Sequence, residues 1–366
     1  MNQNLLHPTI MEININNFKH NIKVIKDYLN KDIEIMPIIK ANAYGTYLNT
    51  RLDILNIFNI VGVANVSEGM YLRSIGYKKD IFVLNQPTTN EINNIINNNL
   101  IVGVSSNDFI EALNNINENI KIHIEIGTGM GRTGINPSRS LEFINKIKDN
   151  KNIIIDGIYT HLSSADIDEE YTIKQLESFD KAVNIIKENI STIRYVHSSA
   201  SNGIINFPNT NCNLVRPGII IYGYPSAQDT YKKINLKPVC TLKSKITFLK
   251  TVPENTSIGY GRSYITNKET KIATIPIGYA DGMRRCLSNK WHVLINGKYA
   301  PIIGNICMDS LMVDVTNIDN ISLNDEVFIW DNDKIKLEDL AKEAYSINYE
   351  IMCTIGSRIP RIFIKK

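Results

Sequence analysis

The sequence predicts an α/β protein, with an N-terminal (β/α)8 barrel over residues 1–235 and a C-terminal, mostly-β domain over 236–366. Three observations carry that prediction. Eight short, β-branched, near-continuous apolar runs recur through the first two-thirds of the chain, amphipathic helical stretches separate them, and the alternation stops near residue 236. Apolar runs without in–out alternation are what a parallel sheet covered on both faces requires. Eight of them, each followed by a helix, fit a closed barrel better than an open sheet.

The runs in order are "IEIMPIIK" (33–40), "IVGVAN" (60–65), "DIFVLN" (80–85) and "IVGVSS" (101–106). They continue with "KIHIEIG" (121–127), "IDGIYTHL" (155–162), "RYVHSSAS" (194–201) and "LVRPGIIIYG" (214–223). Helical spacing between them is clearest in "NDFIEALNNI" and "TIKQLESFDKAVNIIKENI". Beyond residue 236 the strand-like segments are "VCTLKSKITFLKTV", "KIATIPIGY", "WHVLINGKYAPIIG" and "LMVDVTNI", with turns at "PENTS" and "NGK". One helix, "KLEDLAKEAYS", stands out there.

Composition narrows the function. The 366 residues are 43% hydrophobic and 21% charged, ordinary for a globular protein, and the net charge of +3 gathers in no basic block, so nucleic acid is not implied. The five cysteines (Cys212, Cys240, Cys286, Cys307, Cys353) lack metal-ligand spacing and the six histidines form no H-x-x-x-H pair, so no metal is expected. No apolar run approaches the ~20 residues that span a bilayer, and the polar opening is no signal peptide. The expected setting is cytoplasmic, with no membrane segment.

In such a barrel chemistry gathers at the C-terminal ends of the strands. Those ends carry Lys40, Arg132 in the loop "GTGMGRTG", His161, Ser201, and Arg216 with Gly218. Taken singly, each has an ordinary structural explanation: a solvated lysine, a core histidine, a glycine turn. Together they place an amine capable of forming an imine opposite hydroxyl and backbone N–H groups suited to a phosphate. That combination predicts pyridoxal 5'-phosphate, with Arg216 facing the ring nitrogen and discouraging its protonation.

"KANAYG", "TGMGRTG", "THLSSAD" and "VRPGIIIYG" resemble the cofactor-lysine, arginine, histidine and ring-nitrogen segments of the alanine racemase family. "GYGRSY", "IPIGYADG", "ICMDSLMVDVT" and "NYEIMCTIGSRIPRIF" resemble segments of its second domain, so the likeness runs over nearly the whole chain. The resemblance implies a homodimer with shared active sites, acting on a small-molecule amino acid and inverting its Cα with one proton-transfer group on each face. Lys40 serves one face, and Tyr260 of the other subunit serves the second. It further implies that Tyr44, Ser201, Gly218, Ile219 and Tyr349 surround the cofactor, and that His161 links Tyr260 to Arg216. Arg132 and the Met308 N–H hold the substrate carboxylate, while Tyr264 and Tyr279 wall the entrance. The family's usual loop-positioning anion is a carbamylated lysine; counting back from Arg132 puts Glu125 there, as a ready-made carboxylate.

The chain departs from the family pattern at Thr46–Tyr47 after the lysine motif, at Gly127 in place of an aspartate, and at Ala200 before Ser201. Alternatives remain at this stage. Serine competes with alanine as substrate. A fold-related decarboxylase would present an acid, not Arg216, to the ring nitrogen. A non-catalytic cofactor-binding barrel would lack residues 236–366.

Overall fold

The computed structural model describes residues 7–29, 32–225, 233–331 and 333–365; the first six residues of the polar opening lie outside the described residues. Two compact units emerge, one of residues 20–43 and 47–236, the other formed by the N-terminal residues up to Lys19, residues 44–46 and the chain from Lys237 onward.

The first unit is the eight-stranded parallel barrel. Its strands are Glu34–Ile35, Ile60–Val63, Asp80–Val83, Ile101–Val104, Ile120–Glu125, Ile153–Tyr159, Tyr195–His197 and Leu214–Val215. Strands two to seven pair in sequence order, and the first pairs with the eighth. Single parallel bridges, Ile38 to Gly62 and Ala200 to Arg216, join the two ladders at both sides and close the ring. Every residue of Ile60–Val63 and Ile101–Val104 is buried, as a sheet covered on both faces demands.

The first and eighth strands are shorter than the runs 33–40 and 214–223 suggest. Pro37 and Pro217 have no N–H to donate, so each removes one bond from its ladder, although Ile38 N still donates to Pro217 O at 3.0 Å. After Pro217 the chain turns into a 3-10 segment, Ile219–Tyr222. Helices begin where side-chain caps stand just beyond strand ends: Asn65 accepts from Glu68 N, Ser106 from Phe109 N and Asp168 from Tyr171 N. The long helix Glu169–Asn189 buries Thr172, Gln175, Phe179, Ala182, Val183 and Ile186, one face at helical spacing.

The second unit holds a six-stranded sheet in the order Lys298–Pro301, His292–Ile295, Glu326–Trp330, Cys240–Lys245, Ile10–Asn14, Arg361–Ile364. Its hairpin turns on Asn296 and Gly297, both at positive φ, as the "NGK" signal implies. A three-stranded sheet joins Phe248–Val252, Thr270–Ile275 and Leu311–Asp314. Two findings correct the sequence reading. The strand Ile10–Asn14, left among the first 235 residues, belongs to this sheet, paired with Cys240–Lys245 and Arg361–Ile364. A second helix, Asn348–Thr354, follows Leu337–Glu343.

Gly103 shows how tightly the barrel interior is filled. A Cβ there would land on the Tyr159 hydroxyl, which sits within hydrogen-bond reach of both Leu84 O (3.0 Å) and Glu125 Oε2 (3.1 Å). Gly103→Ala is expected to destabilise the protein by roughly 1–3 kcal/mol through overpacking. Urea denaturation measures this; an unchanged midpoint would mean the tyrosine can step aside.

Candidate active site

Lys40 opens a run of left-handed backbone. Ala41, Asn42, Ala43 and Tyr44 all have φ between 52° and 56°, a conformation that costs L-residues roughly 1–2 kcal/mol each. Something must hold it, and Glu68 does part of this. Its Oε1 accepts from Ala41 N and its Oε2 from Ala64 N, both at 2.7 Å, so one carboxylate ties the turn after Lys40 to the end of the second strand. Lys40 is therefore no frayed tip: the backbone on both sides of it is fixed, and the residue is only partly exposed.

Arg216 is 1% exposed and its terminal nitrogens are fully engaged. Nη1 donates to His197 O at 2.9 Å and His197 Nδ1 at 2.7 Å. Nη2 donates to Thr160 O at 2.7 Å, Ser198 O at 3.0 Å and His161 Nδ1 at 3.2 Å. Nε makes no hydrogen bond among the described residues, and is the guanidinium nitrogen left to meet a ligand. Since arginine can only donate, His161 must accept at Nδ1 and keep its proton on Nε2. Burial pushes His161 down to about 3, helped by the charges of Arg216, Arg132 and Lys40, so its ring is neutral.

Next to this arginine, Ser201 Oγ accepts from Gly218 N at 3.1 Å, which puts a buried hydroxyl and a backbone donor side by side. Ile219 follows, buried, at the start of the 3-10 turn. The Arg132 loop closes at its neck, where Gly127 N donates to Ile135 O at 2.8 Å and Ile135 N to Glu125 O at 2.9 Å. Gln175 of the long helix reaches Thr128 Oγ1 at 3.2 Å, and Tyr171 OH donates to Gly129 O at the same distance. Arg132 itself is exposed and forms no ion pair among the described residues.

That last point corrects one expectation. Glu125 does not hold Arg132: it is 3% exposed, and its carboxylate lies beside the Tyr159 hydroxyl. Strand alternation sends Glu125 and His123 to the same buried side of the strand.

In the second unit, Tyr260 is 72% exposed on the 3-10 turn Tyr260–Arg262, flanked by Gly259 and Gly261 at positive φ. Asn305 Nδ2 donates to Tyr260 O at 2.7 Å, while Tyr279 N and Ala280 N donate to Cys307 O and Met308 O, both at 3.0 Å. One loop, 305–308, thus gathers the exposed Tyr260, Tyr279 and Met308. The Met308 N–H is engaged by no hydrogen bond among the described residues. Tyr264, half-buried, packs on the small core of Ile258, Ile272 and Ile303. Tyr44 is buried with its ring centroid 6.0 Å from that of Tyr349, and burial followed by the neighbouring Tyr349 and Cys353 raises it far above the ordinary tyrosine value.

Glu68, His197, His123 and Asp156 were not singled out from the sequence. The last three carried a readable signal, since each is a polar residue inside an otherwise apolar barrel strand.

Comparison with known proteins adds the following. Residues 13–226 match the family model described as alanine racemase, N-terminal domain, and residues 239–363 the one for its C-terminal domain. The chain is 40% identical to an alanine racemase of Methanococcus maripaludis, over 98% of this chain and 99% of the relative. It is 38% identical to one from Halothermothrix orenii, over 100% and 99%. Among solved structures, an alanine racemase of Clostridium difficile superimposes with a TM-score of 0.93 at 33% identity, covering 99% of this chain and 97% of that one. One from E. faecalis gives 0.91 at 29% identity, covering both chains completely.

The buried neutral histidine has a pH signature. In the unfolded chain His161 protonates near 6.5, whereas in the native protein it resists until about 3, so the unfolded state binds the extra proton in between. Its contribution to stability is whole above about 6.5 and is lost as pH falls toward 3. Unfolding free energy should therefore decline below pH ~6.5, and His161→Asn should flatten part of that decline. A variant with the full wild-type acid slope would remove His161 from the account.

Proposed function

The chain belongs to the alanine racemase family of isomerase enzymes, and from that membership we propose that it interconverts L- and D-alanine at sites shared between two copies of the chain, using pyridoxal 5'-phosphate. The observation that carries this reading is Arg216, a buried guanidinium with both terminal nitrogens committed and Nε left over. The rest of the donor set fits the cofactor as well: an amine at Lys40, and the Ser201 hydroxyl with the Gly218 N–H for a phosphate. When bound, the cofactor supplies a sink for the electron pair left as the substrate Cα gives up its proton. Arg216, a standing cation, would oppose protonation of a pyridine nitrogen held against its Nε, and so would keep that sink a weak one. An aspartate or glutamate in that position would do the reverse, and this disfavours a decarboxylase.

Inversion needs a proton-transfer group on each face of Cα. Lys40 Nζ serves one. In this reading the partner subunit's Tyr260 serves the other, with the His161 Nε2–H donating to its phenolic oxygen. That hydrogen bond, polarised by Arg216 behind the ring, favours the deprotonated oxygen a base requires. Exposure of Tyr260 on its own unit supports a role in a site completed by a second copy. Arg132, free of any carboxylate among the described residues, and the open Met308 N–H are the groups for the substrate carboxylate. Tyr44 and Tyr349 would border the cofactor, with Tyr279 at the entrance.

Two measurements test this. Racemisation assayed on L-alanine and L-serine should favour alanine; equal rates would make this a broader racemase. Tyr260→Phe should bind the cofactor normally and lose roughly 10²–10⁴ in turnover, while Lys40→Ala should lose both. Mixing the two inactive variants should restore one good site per mixed dimer, and no recovery despite proven subunit exchange would put both groups in one chain.

A further inference from the structure

Behind Arg216 a line of buried polar side chains runs the length of the barrel, away from the substrate side. His197 Nδ1 takes the Arg216 Nη1 hydrogen at 2.7 Å, and its Nε2 lies 2.8 Å from His123 Nδ1. His123 Nε2 lies 3.4 Å from Asp156 Oδ2. Arg194 Nη2 donates to the same Asp156 oxygen at 2.9 Å and to Asp80 Oδ2 at 2.5 Å. Both histidines are fully buried and Asp156 nearly so, while Arg194 is exposed.

The chemistry of the two ends fixes the direction of every link. Arg216 is donor-only, so His197 must be bare at Nδ1 and carry its proton on Nε2. That proton points at His123 Nδ1, which must be bare in turn, leaving a proton on Nε2 for the carboxylate, an acceptor-only group. The chain can run one way only while a guanidinium stands at one end and a carboxylate at the other. Its parts are built in. Phe82 stacks on His123 (4.5 Å, 26°) and Tyr159 on His197 (5.1 Å, 6°). A Cβ on Gly157 would sit 2.8 Å from the His123 ring, so only glycine leaves room for it. The fifth and sixth strands shift register between Ile122 and His123, making Asp156 the extra residue of a β-bulge beside that histidine.

Resting on the reading of Arg216 given above, we propose that Asp156 is a positioning residue for the reaction. Through His123 and His197 it sets the direction of the chain that ends on Arg216, and so keeps an acceptor at Nη1 and Nε turned to the cofactor. Asparagine in its place can donate as well as accept. The chain could then reverse, aiming a His197 N–H at the guanidinium and displacing it.

Nitrogen-15 NMR of the imidazole rings in the cofactor-free protein tests the chain independently of activity. The wild type should show both His123 and His197 as Nε2–H tautomers. Asp156→Asn should show Nδ1–H signal at one or both, with kcat for alanine in the loaded enzyme lowered roughly 10- to 100-fold, the range of one charge-assisted hydrogen bond, and KM nearly unchanged. Asp156→Glu should recover the tautomers and most of kcat. Unchanged tautomers in folded Asp156→Asn, or changed tautomers with wild-type kcat, would overturn the proposal. Should Asp156→Asn fail to fold, Asp156→Ser removes the same carboxylate with a smaller group that can also donate, and wild-type tautomers and kcat there would count equally against it. A wild-type protein with these tautomers but no racemase activity would overturn the functional reading, and this role with it, while leaving the chain intact.

Discussion

Burying one permanent cation is the constraint on which the barrel's working end depends. A guanidinium cannot shed its charge inside a protein, so it must be surrounded by acceptors or it will not be buried at all. Burial pulls Arg216 down to about 10, still far above neutrality. The acceptors it finds are the carbonyls of Thr160, His197 and Ser198, at the ends of two neighbouring strands, with its own backbone bridged to Ala200. One side chain thus fastens the sixth, seventh and eighth strands where chemistry is expected. It also dictates the state of both imidazoles it touches, since each must present a bare nitrogen.

The lysine side of the site meets a different difficulty. Left-handed backbone over several consecutive non-glycine residues is costly, and two of those residues are alanines, the smallest that still carry a Cβ. The Glu68 carboxylate offsets part of that cost with two backbone hydrogen bonds. Strain next to a lysine that is expected to do chemistry is held by neighbours that do none.

How much of this could be read from the sequence follows from range. The eight barrel strands and the residues at their ends were legible because each signal is local: an apolar run, then a polar residue. The run "IMEIN" carries no local sign that its partners lie at 240–245 and 361–364, so it went unplaced. The prolines at 37 and 217 were visible, yet the strand lengths were drawn straight through them. The chain from Arg216 to Asp156 is assembled from residues up to 93 positions apart in the numbering (216 − 123), and only the closed barrel brings them into contact. Glu125 sits where the family pattern led, but its partner there, the Tyr159 hydroxyl, comes from the neighbouring strand and could not be read from sequence position.

The place of Ile10–Asn14 between two strands of its sheet bears on how the molecule is made. Its two neighbours are synthesised more than 200 and more than 340 residues after it. At 5–20 residues per second the strand waits roughly 20–70 s before both partners exist. During that interval an apolar segment with open hydrogen-bonding edges is exposed, although the barrel already has all its own strands. Such a segment is a natural target for holding chaperones and for mispairing with other nascent chains. Synthesis of Arg361–Ile364 is what closes that window.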